Sequence, residues 1–218
     1  MDKLMATQGE AYAEASSDPE LLHRWGEGDR AAGNQLFERH LPSVYRFFRT
    51  KVSADIDDLV QRTFLACVEA RARYQHRSSF KTFLLSIARN QLYKYYRDHK
   101  RNADKFDASV TSIRDLGTTP TDAIVGRQQE QLLLEALQDL PLETQVMVEL
   151  VYWEELAIDE LAIVLDLPTN TVYSRMSRAR RQLRERLTTI SSGVPDDWRV
   201  SFEELEGWAR GIANSAAD

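Results

Sequence analysis

Apolar residues along this chain recur at steps of three and four, the spacing of one face of an α-helix. No stretch shows the two-residue alternation of a half-buried strand. The clearest helical pair lies between Glu154 and Leu187. Ile158, Leu161, Ala162 and Leu165 mark a first helix, and Val172, Met176, Ala179, Leu183 and Leu187 mark a second. Asp166-Leu167-Pro168 between them predicts a tight turn closed by a proline suited to a helix start. The opposite face of the second helix shows Thr171, Ser174, Arg175, Arg178 and Arg181. An apolar back and a basic front led by small polar residues suit a helix-turn-helix, in which N-terminal side chains reach base edges and arginines hold phosphates. A solvated amphipathic hairpin is the plainer alternative for that stretch taken alone.

The same pattern predicts helices upstream. Asp18 reads as an N-cap with Pro19 at the first helical position, and Leu21, Leu22 and Trp25 as the apolar face. Asp29 is a candidate cap for the next helix, which Pro42 breaks or restarts before Val44, Tyr45, Phe47 and Phe48. Ser53 opens a helix with an acidic start (Asp55, Asp57, Asp58) that suits the helix dipole. A polar loop, Arg73 to Ser79, leads into a long helix from about Phe80 to His99, with Phe83, Leu84, Ile87, Ala88, Leu92 and Tyr95 as its buried stripe. Asn102 to Arg127 loses this periodicity and reads as an unstructured linker. Helices from about Gln128 to Pro141 and Glu143 to Trp153 then precede the hairpin. The predicted fold is all-α. Residues 1–18 form a tail, 19–101 a first helical domain, 102–127 a flexible linker and 128–190 a second domain with the helix-turn-helix. Residues 191–218 form an extension whose Trp198, Phe202, Leu205, Trp208 and Ile212 suggest an amphipathic helix, packed back on the second domain or docking a partner.

Composition narrows the function. At 218 residues and 43% hydrophobic content the chain can bury a core. No window reaches the roughly 18 apolar residues of a membrane span, and the acidic N-terminus does not resemble a secretory signal, so a cytoplasmic protein without a membrane partner is expected. Cys67 is the single cysteine, which excludes a disulfide framework or a cysteine-rich zinc site. No phosphate-binding loop, HExxH or GxSxG motif occurs. Asp57 and Asp58 are adjacent on a helix and point apart, a poor general acid–base pair. No catalytic residue, metal, cofactor or small-molecule substrate is therefore expected. The net charge of −6 hides a strong segregation: Arg71 to Lys105 carries ten basic against two acidic residues, Gln128 to Pro168 ten acidic and no Lys or Arg, and Thr169 to Leu187 six arginines against Glu185. Two DNA-facing surfaces on an otherwise repelling body fit that pattern.

Two blocks and the hairpin together resemble one family. Asp55-Ile56-Asp57-Asp58-Leu59-Val60-Gln61-Arg62-Thr63-Phe64 and Phe80-Lys81-Thr82-Phe83-Leu84-Leu85-Ser86-Ile87-Ala88-Arg89-Asn90 are similar to signatures of bacterial sigma-70-type sigma factors, in the small extracytoplasmic-function class. Thr171-Val172-Tyr173-Ser174-Arg175 with Arg178-Ala179-Arg180 resembles the second DNA-binding domain of that class. The resemblance spans about Asp29 to Leu187. It implies that Asp57, Asp58, Gln61 and Phe64 meet the core RNA polymerase. It implies that Tyr74, His76, Arg77, Ser78, Arg89, Asn90 and Lys94 read and hold the melted −10 element, a task for stacking groups and an electropositive groove. Thr169, Asn170, Thr171, Ser174, Arg175, Arg178 and Arg181 would read the −35 element as duplex. Core polymerase and promoter DNA are the implied partners, with an anti-sigma factor as a further candidate. A stand-alone helix-turn-helix regulator is the alternative, but it leaves the acidic helix and the Arg71 to Lys105 surface without a job. Five positions depart from the family pattern: Phe83 in place of Trp, Arg62 in place of Glu, Ala157 where Ser usually caps, and Asp166 and Asn170 at positions often occupied by Gly.

Overall fold

A computed structural model describes residues 16–74, 77–99, 106–117 and 128–190. Every regular element among them is helical: α1 (Asp18–Gly26), α2 (Arg30–Arg49), α3 (Ile56–Ala70), α4 (Phe80–His99), α5 (Gln128–Gln138), α6 (Leu142–Tyr152), α7 (Ile158–Leu165) and α8 (Thr169–Ile190). Short 3-10 turns cover Arg71–Arg73 and Arg114–Leu116. The 1–18 tail up to residue 15, His76, linker residues 102–105 and 118–127 and the 191–218 extension lie outside the described residues. The chain divides into a first unit, Met1–Arg39, and a second, His40–Asp218.

In the first unit, Ser17 rather than Asp18 is the N-cap of α1, and the Glu20 carboxylate accepts from the Ser17 N–H at 2.8 Å. Asp18 instead pairs with Arg39 at 2.6 Å. Asp29 caps α2 as its position suggests, accepting from the N–H groups of Ala31 (2.9 Å) and Ala32 (3.1 Å). Trp25 meets Phe37 edge-on at 5.3 Å, and a Cβ on Gly33 would lie 2.6 Å from the Trp25 ring. Glycine is thus what lets the indole lie against α2. Pro42 does not break α2. A proline costs one backbone hydrogen bond inside a helix, and the buried Leu36, Val44, Phe47 and Phe48 on either side outweigh that cost.

In the second unit, α3 starts at Ile56, not Ser53; Asp55 before it takes a left-handed conformation (φ 62°) at the N-cap position and makes no side-chain capping bond. Leu59, Val60 and Cys67 of α3 are buried, as are Leu84, Leu85, Ala88 and Leu92 of α4, and the two helices pack together. The buried stripe of α4 includes Phe80, Leu85 and Tyr96, while Phe83, Ile87 and Tyr95 are only half-buried. The stripe broadens because α4 packs against α7 as well as α3. The hairpin agrees with its pattern except at Ile158, which is half-buried. All five apolar positions of α8 are buried, Leu161, Ala162 and Leu165 of α7 are buried, and Asp166 takes the left-handed turn position (φ 56°) that short polar residues tolerate. Leu133, Leu137, Leu142, Val146 and Leu150 of α5 and α6 complete that core.

Part of the expected linker is structured. Residues 106–117 carry the buried Ile113, Thr111 and Ser112, and the Thr111 and Ala108 carbonyls accept from the N–H groups of Leu142 and Glu143 at 2.9 Å each. Phe106 stacks on Tyr96 at 5.8 Å. One anchor residue and backbone bonds hold this segment, so it needs no periodicity.

The most consequential contact joins α6 to the end of α2. Lys51, fully buried, donates to the Glu149 carboxylate, to the Phe47 carbonyl (2.7 Å) and to Thr50 Oγ1 (3.0 Å). Glu149 accepts further bonds from Thr50 (2.9 Å) and Gln145 (2.7 Å). The Tyr96 hydroxyl donates to the Lys51 carbonyl. Burial pushes the Glu149 carboxyl up and the Lys51 ammonium down from their ordinary values, against their mutual attraction. Such a pair is costly to split, because the remaining charge is stranded without water. Glu149→Ala is expected to destabilise the chain by about 3–5 kcal/mol, and the double variant Lys51→Met/Glu149→Met by much less. Urea unfolding of the three proteins checks this; equal losses in both variants would mean that the pair is not the source.

Candidate nucleic-acid and polymerase interfaces

Three groups of side chains were expected to carry function, and each occupies its own surface. On α3, Asp57 and Gln61 are exposed, Phe64 is half-buried, and Asp58 pairs with Arg62 one turn on at 2.7 Å. Both members of that pair are about half exposed, so it contributes little stability; it does draw the Asp58 charge toward Arg62. Leu65 and Val68 stand 56% and 48% exposed on the outside of the same helix. Both are apolar side chains on a water-facing surface. The excess of apolar positions over what one buried face can hold was the available signal.

The second group divides. Tyr74 leaves the 3-10 turn with its ring 4.7 Å from that of Phe83 and its hydroxyl donating to the Ser78 carbonyl at 2.6 Å. Phe83 thus takes the role of an aromatic support. Arg77, Asn90 and Lys94 are exposed, and Ser78 is half-buried. Arg89 turns the other way: its guanidinium lies over the Tyr93 ring at 4.8 Å and donates to the Val164 carbonyl of α7 at 3.0 Å. His76 lies outside the described residues.

On α8, Thr169, Asn170, Ser174, Arg178 and Arg181 are exposed and Thr171 is half-buried. The Ser174 hydroxyl donates to the Thr171 carbonyl at 2.9 Å. Arg175 points back to α6 and binds Glu143 at 2.6 Å. Tyr173, 60% exposed, and the exposed Ser177 were missed. Steps of three and four from Asn170 through Tyr173, Ser174, Ser177 and Arg178 to Arg181 place them on one outward face. An aromatic side chain there was masked by reading only polar and basic residues as the front.

The acidic segment is more than a repelling body: its Glu149, Glu154 and Glu160 carboxylates turn onto basic and hydroxyl groups at the end of α2 and the start of α4. Glu154, buried, binds Arg46 at 2.7 Å and Lys81 at 2.8 Å, and its carbonyl accepts from Lys81 at 2.8 Å. Glu160 accepts from Thr82 (2.7 Å) and Ser79 (2.8 Å) at the start of α4, and from the Ala157 N–H at 3.3 Å. That last bond satisfies the Ala157 N–H, while the alanine side chain itself offers the first turn of α7 no acceptor. Burial raises the Glu160 carboxyl, but the bonds from Thr82, Ser79 and Ala157 and the Lys81 charge outweigh it and hold it below its ordinary 4.5. A depressed carboxyl stabilises the folded state above its unfolded value and loses that contribution as pH falls through the folded one. Acidification from about pH 5 to 3 is therefore expected to lower the melting temperature of the unmodified chain more steeply than that of Glu160→Gln. Parallel pH profiles in calorimetry would remove Glu160 as a contributor.

Among the described residues no group of His, Cys, Asp and Glu is arranged to hold a metal ion. Cys67 is buried, and its thiol is pushed up to about 12 by burial.

Comparison with known proteins places both halves of this arrangement. Residues 36–102 match the Sigma-70 region 2 family and residues 130–183 the Sigma-70, region 4 family. The chain is 28% identical over 189 residues to the ECF RNA polymerase sigma-E factor of Haemophilus influenzae, covering 82% of this chain and 99% of that protein. It is 25% identical over 187 residues to the Escherichia coli sigma-E factor, covering 82% and 98%. Among solved structures, the sigma factor RpoE of Bartonella quintana, in complex with the anti-sigma factor NepR, matches with a TM-score of 0.55 and 25% identity over 71% of this chain and 96% of that one. CnrH, solved with the cytosolic domain of CnrY, shares the fold with a TM-score of 0.58 and 21% identity, over 83% of this chain and all of that one.

Proposed function

The chain belongs to the sigma-70 family of RNA polymerase sigma factors, in its extracytoplasmic-function class, and from that premise we propose how its residues share the work. Its function is to direct core RNA polymerase to promoters and help initiate transcription. The observation that carries this is the pairing, in one chain and in family order, of region 2 at 36–102 with region 4 at 130–183. A stand-alone helix-turn-helix regulator would need only the second. We read residues 19–101 as the polymerase-binding and −10 domain, 128–190 as the −35 domain and 102–127 as their connection. The factor initiates transcription by binding and carries out no covalent chemistry of its own. It works in the cytoplasm, where core polymerase acts; among the described residues no helix is long and apolar enough to cross a membrane.

Asp57, Asp58, Gln61 and Phe64 meet the polymerase, joined by the exposed Leu65 and Val68, which supply apolar area that the carboxylates cannot. Tyr74, His76, Arg77, Ser78, Arg89, Asn90 and Lys94 engage the opened −10 strand. Arg77, Asn90 and Lys94 are exposed for it, whereas Arg89 must first leave the Val164 carbonyl. On α8, Thr169, Asn170, Thr171, Ser174, Arg178 and Arg181 contact the −35 duplex, with Tyr173 added as a group able to meet a thymine methyl. Arg175 joins them only by exchanging Glu143 for DNA. The anti-sigma factor NepR bound to the similar RpoE protein supports a partner of that kind here.

Run-off transcription from genomic fragments, with core polymerase alone and with the chain added, tests the reading. New transcripts that need the chain are expected; transcripts identical with and without it would overturn the assignment. Arg178→Ala is expected to weaken binding to a promoter so identified by about 1–3 kcal/mol if it meets a base, and to reduce the salt dependence without lost specificity if it meets phosphate. Fluorescence anisotropy across a salt series separates these; unchanged affinity would mean that the outward face of α8 is not the reading face.

A further inference from the structure

We propose that the acidic extension 191–218 docks on the arginine face of α8 and competes there with promoter DNA; this rests on the −35 role of α8 proposed above. The helix carries arginine well beyond its reading end. Arg178, Arg181 and Arg184 stand in one exposed row at steps of three. Arg180 donates to the Tyr152 hydroxyl at 2.8 Å on one flank of that row, and Arg186 stands exposed on the other. Little within the helix offsets this charge. Arg181 approaches Glu185 at 3.9 Å with both side chains 68% exposed, and such a pair contributes little. Arg178 to Arg186 thus holds five arginines against one carboxylate, a net charge of +4. The chain that follows is the converse: Asp196 to Glu206 holds Asp196, Asp197, Glu203, Glu204 and Glu206 against Arg199, a net charge of −4.

The apolar residues of the extension suit the same surface. Trp198, Phe202, Leu205, Trp208 and Ile212 recur at helical steps, with Glu204 and Glu206 beside them. The apolar side of α8 cannot receive them, because its five positions are already buried and α5, α6 and α7 pack against the helix. Among the described residues of 128–190, Ile163 and Tyr173 are the large apolar side chains left exposed, and Tyr173 shares the outward face of the arginine row. Arginines complete such a surface: their stems cover apolar area and their guanidinium groups stack on indole rings. A cavity of about 290 Å³ beside the last turns of α8, lined in part by Leu140, Pro141, Gln182, Arg186 and Thr189, lies within reach of Trp198. Chain length permits the return. Ser191 to Pro195 is long enough for a helix-to-helix connection, and Asp196 to Ile212 as a helix would match α8 from Tyr173 to Ile190 in length. Tethering gives the carboxylates an effective concentration on the order of millimolar at α8, so individually weak pairs hold. Duplex DNA displaces them because its phosphates offer guanidinium groups the same bonds at higher charge density. The docked extension therefore screens the reading face from non-specific DNA and yields to a promoter.

Hydrogen exchange and DNA binding on the full chain test this. In the free protein the amides of 196–206 are expected to exchange at least tenfold more slowly than in a free peptide of the same sequence. Arg184→Gln/Arg186→Gln, which leaves the residues assigned to the −35 element intact, is expected to abolish that protection. An unprotected extension would overturn the proposal, as would protection indifferent to the two arginines. For DNA, Asp196→Asn/Asp197→Asn/Glu203→Gln/Glu204→Gln/Glu206→Gln is expected to bind a labelled mixed-sequence duplex at least fivefold more tightly than the unmodified chain. A second variant with the same change in charge, Glu27→Gln/Glu38→Gln/Glu69→Gln/Asp98→Asn/Glu135→Gln, neutralises exposed carboxylates elsewhere and is expected to shift affinity less than twofold. Equal gains in the two variants, or no gain in the first, would contradict competition. Exchange reads docking without DNA or polymerase. If 196–206 is protected through the two arginines while the chain supports no initiation, the −35 reading falls and the docking stands.

Discussion

A lysine and a glutamate with no access to water fix the arrangement of this protein. Lys51 at the end of α2 and Glu149 in α6 are separated by 98 positions in sequence and joined in space. Neither has a low-cost alternative inside the protein, since an isolated charge in such surroundings is penalised by several kcal/mol. The pair is supported on every side: Thr50 and Gln145 complete the carboxylate, the Phe47 carbonyl and ring complete the ammonium, and Tyr96 holds the Lys51 carbonyl. Once these groups meet, α6 is seated on the end of α2. The neighbouring Glu154 and Glu160 then fall against Arg46, Lys81, Ser79 and Thr82.

That geometry gives the charge segregation of the chain a second meaning. An acidic block between two basic ones keeps unrelated nucleic acid away at long range. At short range it is the adhesive between the two domains that must engage promoter DNA. Glu149, Glu154 and Glu160 carry that contact, against Lys51, Arg46, Lys81, Ser79 and Thr82 at the end of α2 and the start of α4. A factor with separated domains would present both basic faces at once. This one presents mainly the outer faces of α3 and α8, the first with Asp57, Gln61, Leu65 and Val68, the second with Asn170, Tyr173, Arg178 and Arg181.

The helices and the hairpin were legible in the sequence because their signals are local. Periodicity located α8 and its five buried positions, and side-chain chemistry located the caps at Asp29 and Asp166. Where a local rule met tertiary packing, the rule gave way, as at Pro42 in α2 and along the broadened stripe of α4. The interdomain contacts were not legible. Nothing in the spacing of Lys51 and Glu149, or of Ser79 and Glu160, marks them as partners, and a run of acidic residues reads the same facing water or facing arginine. Arg89 and Arg175 have the right chemistry for DNA and are turned inward by partners far away in sequence, while Tyr173, Leu65 and Val68 stand exposed.

The central claim is that this factor holds its two DNA-facing domains together by the acidic segment and opens to initiate. Energy transfer between a donor on the outer face of α4, at Asp98, and an acceptor on α8, at Ser177, follows that separation directly. High transfer in the free chain, falling when core polymerase and promoter DNA are added, is the predicted result. Low transfer in the free chain, or transfer that does not change on forming the initiation complex, would contradict it.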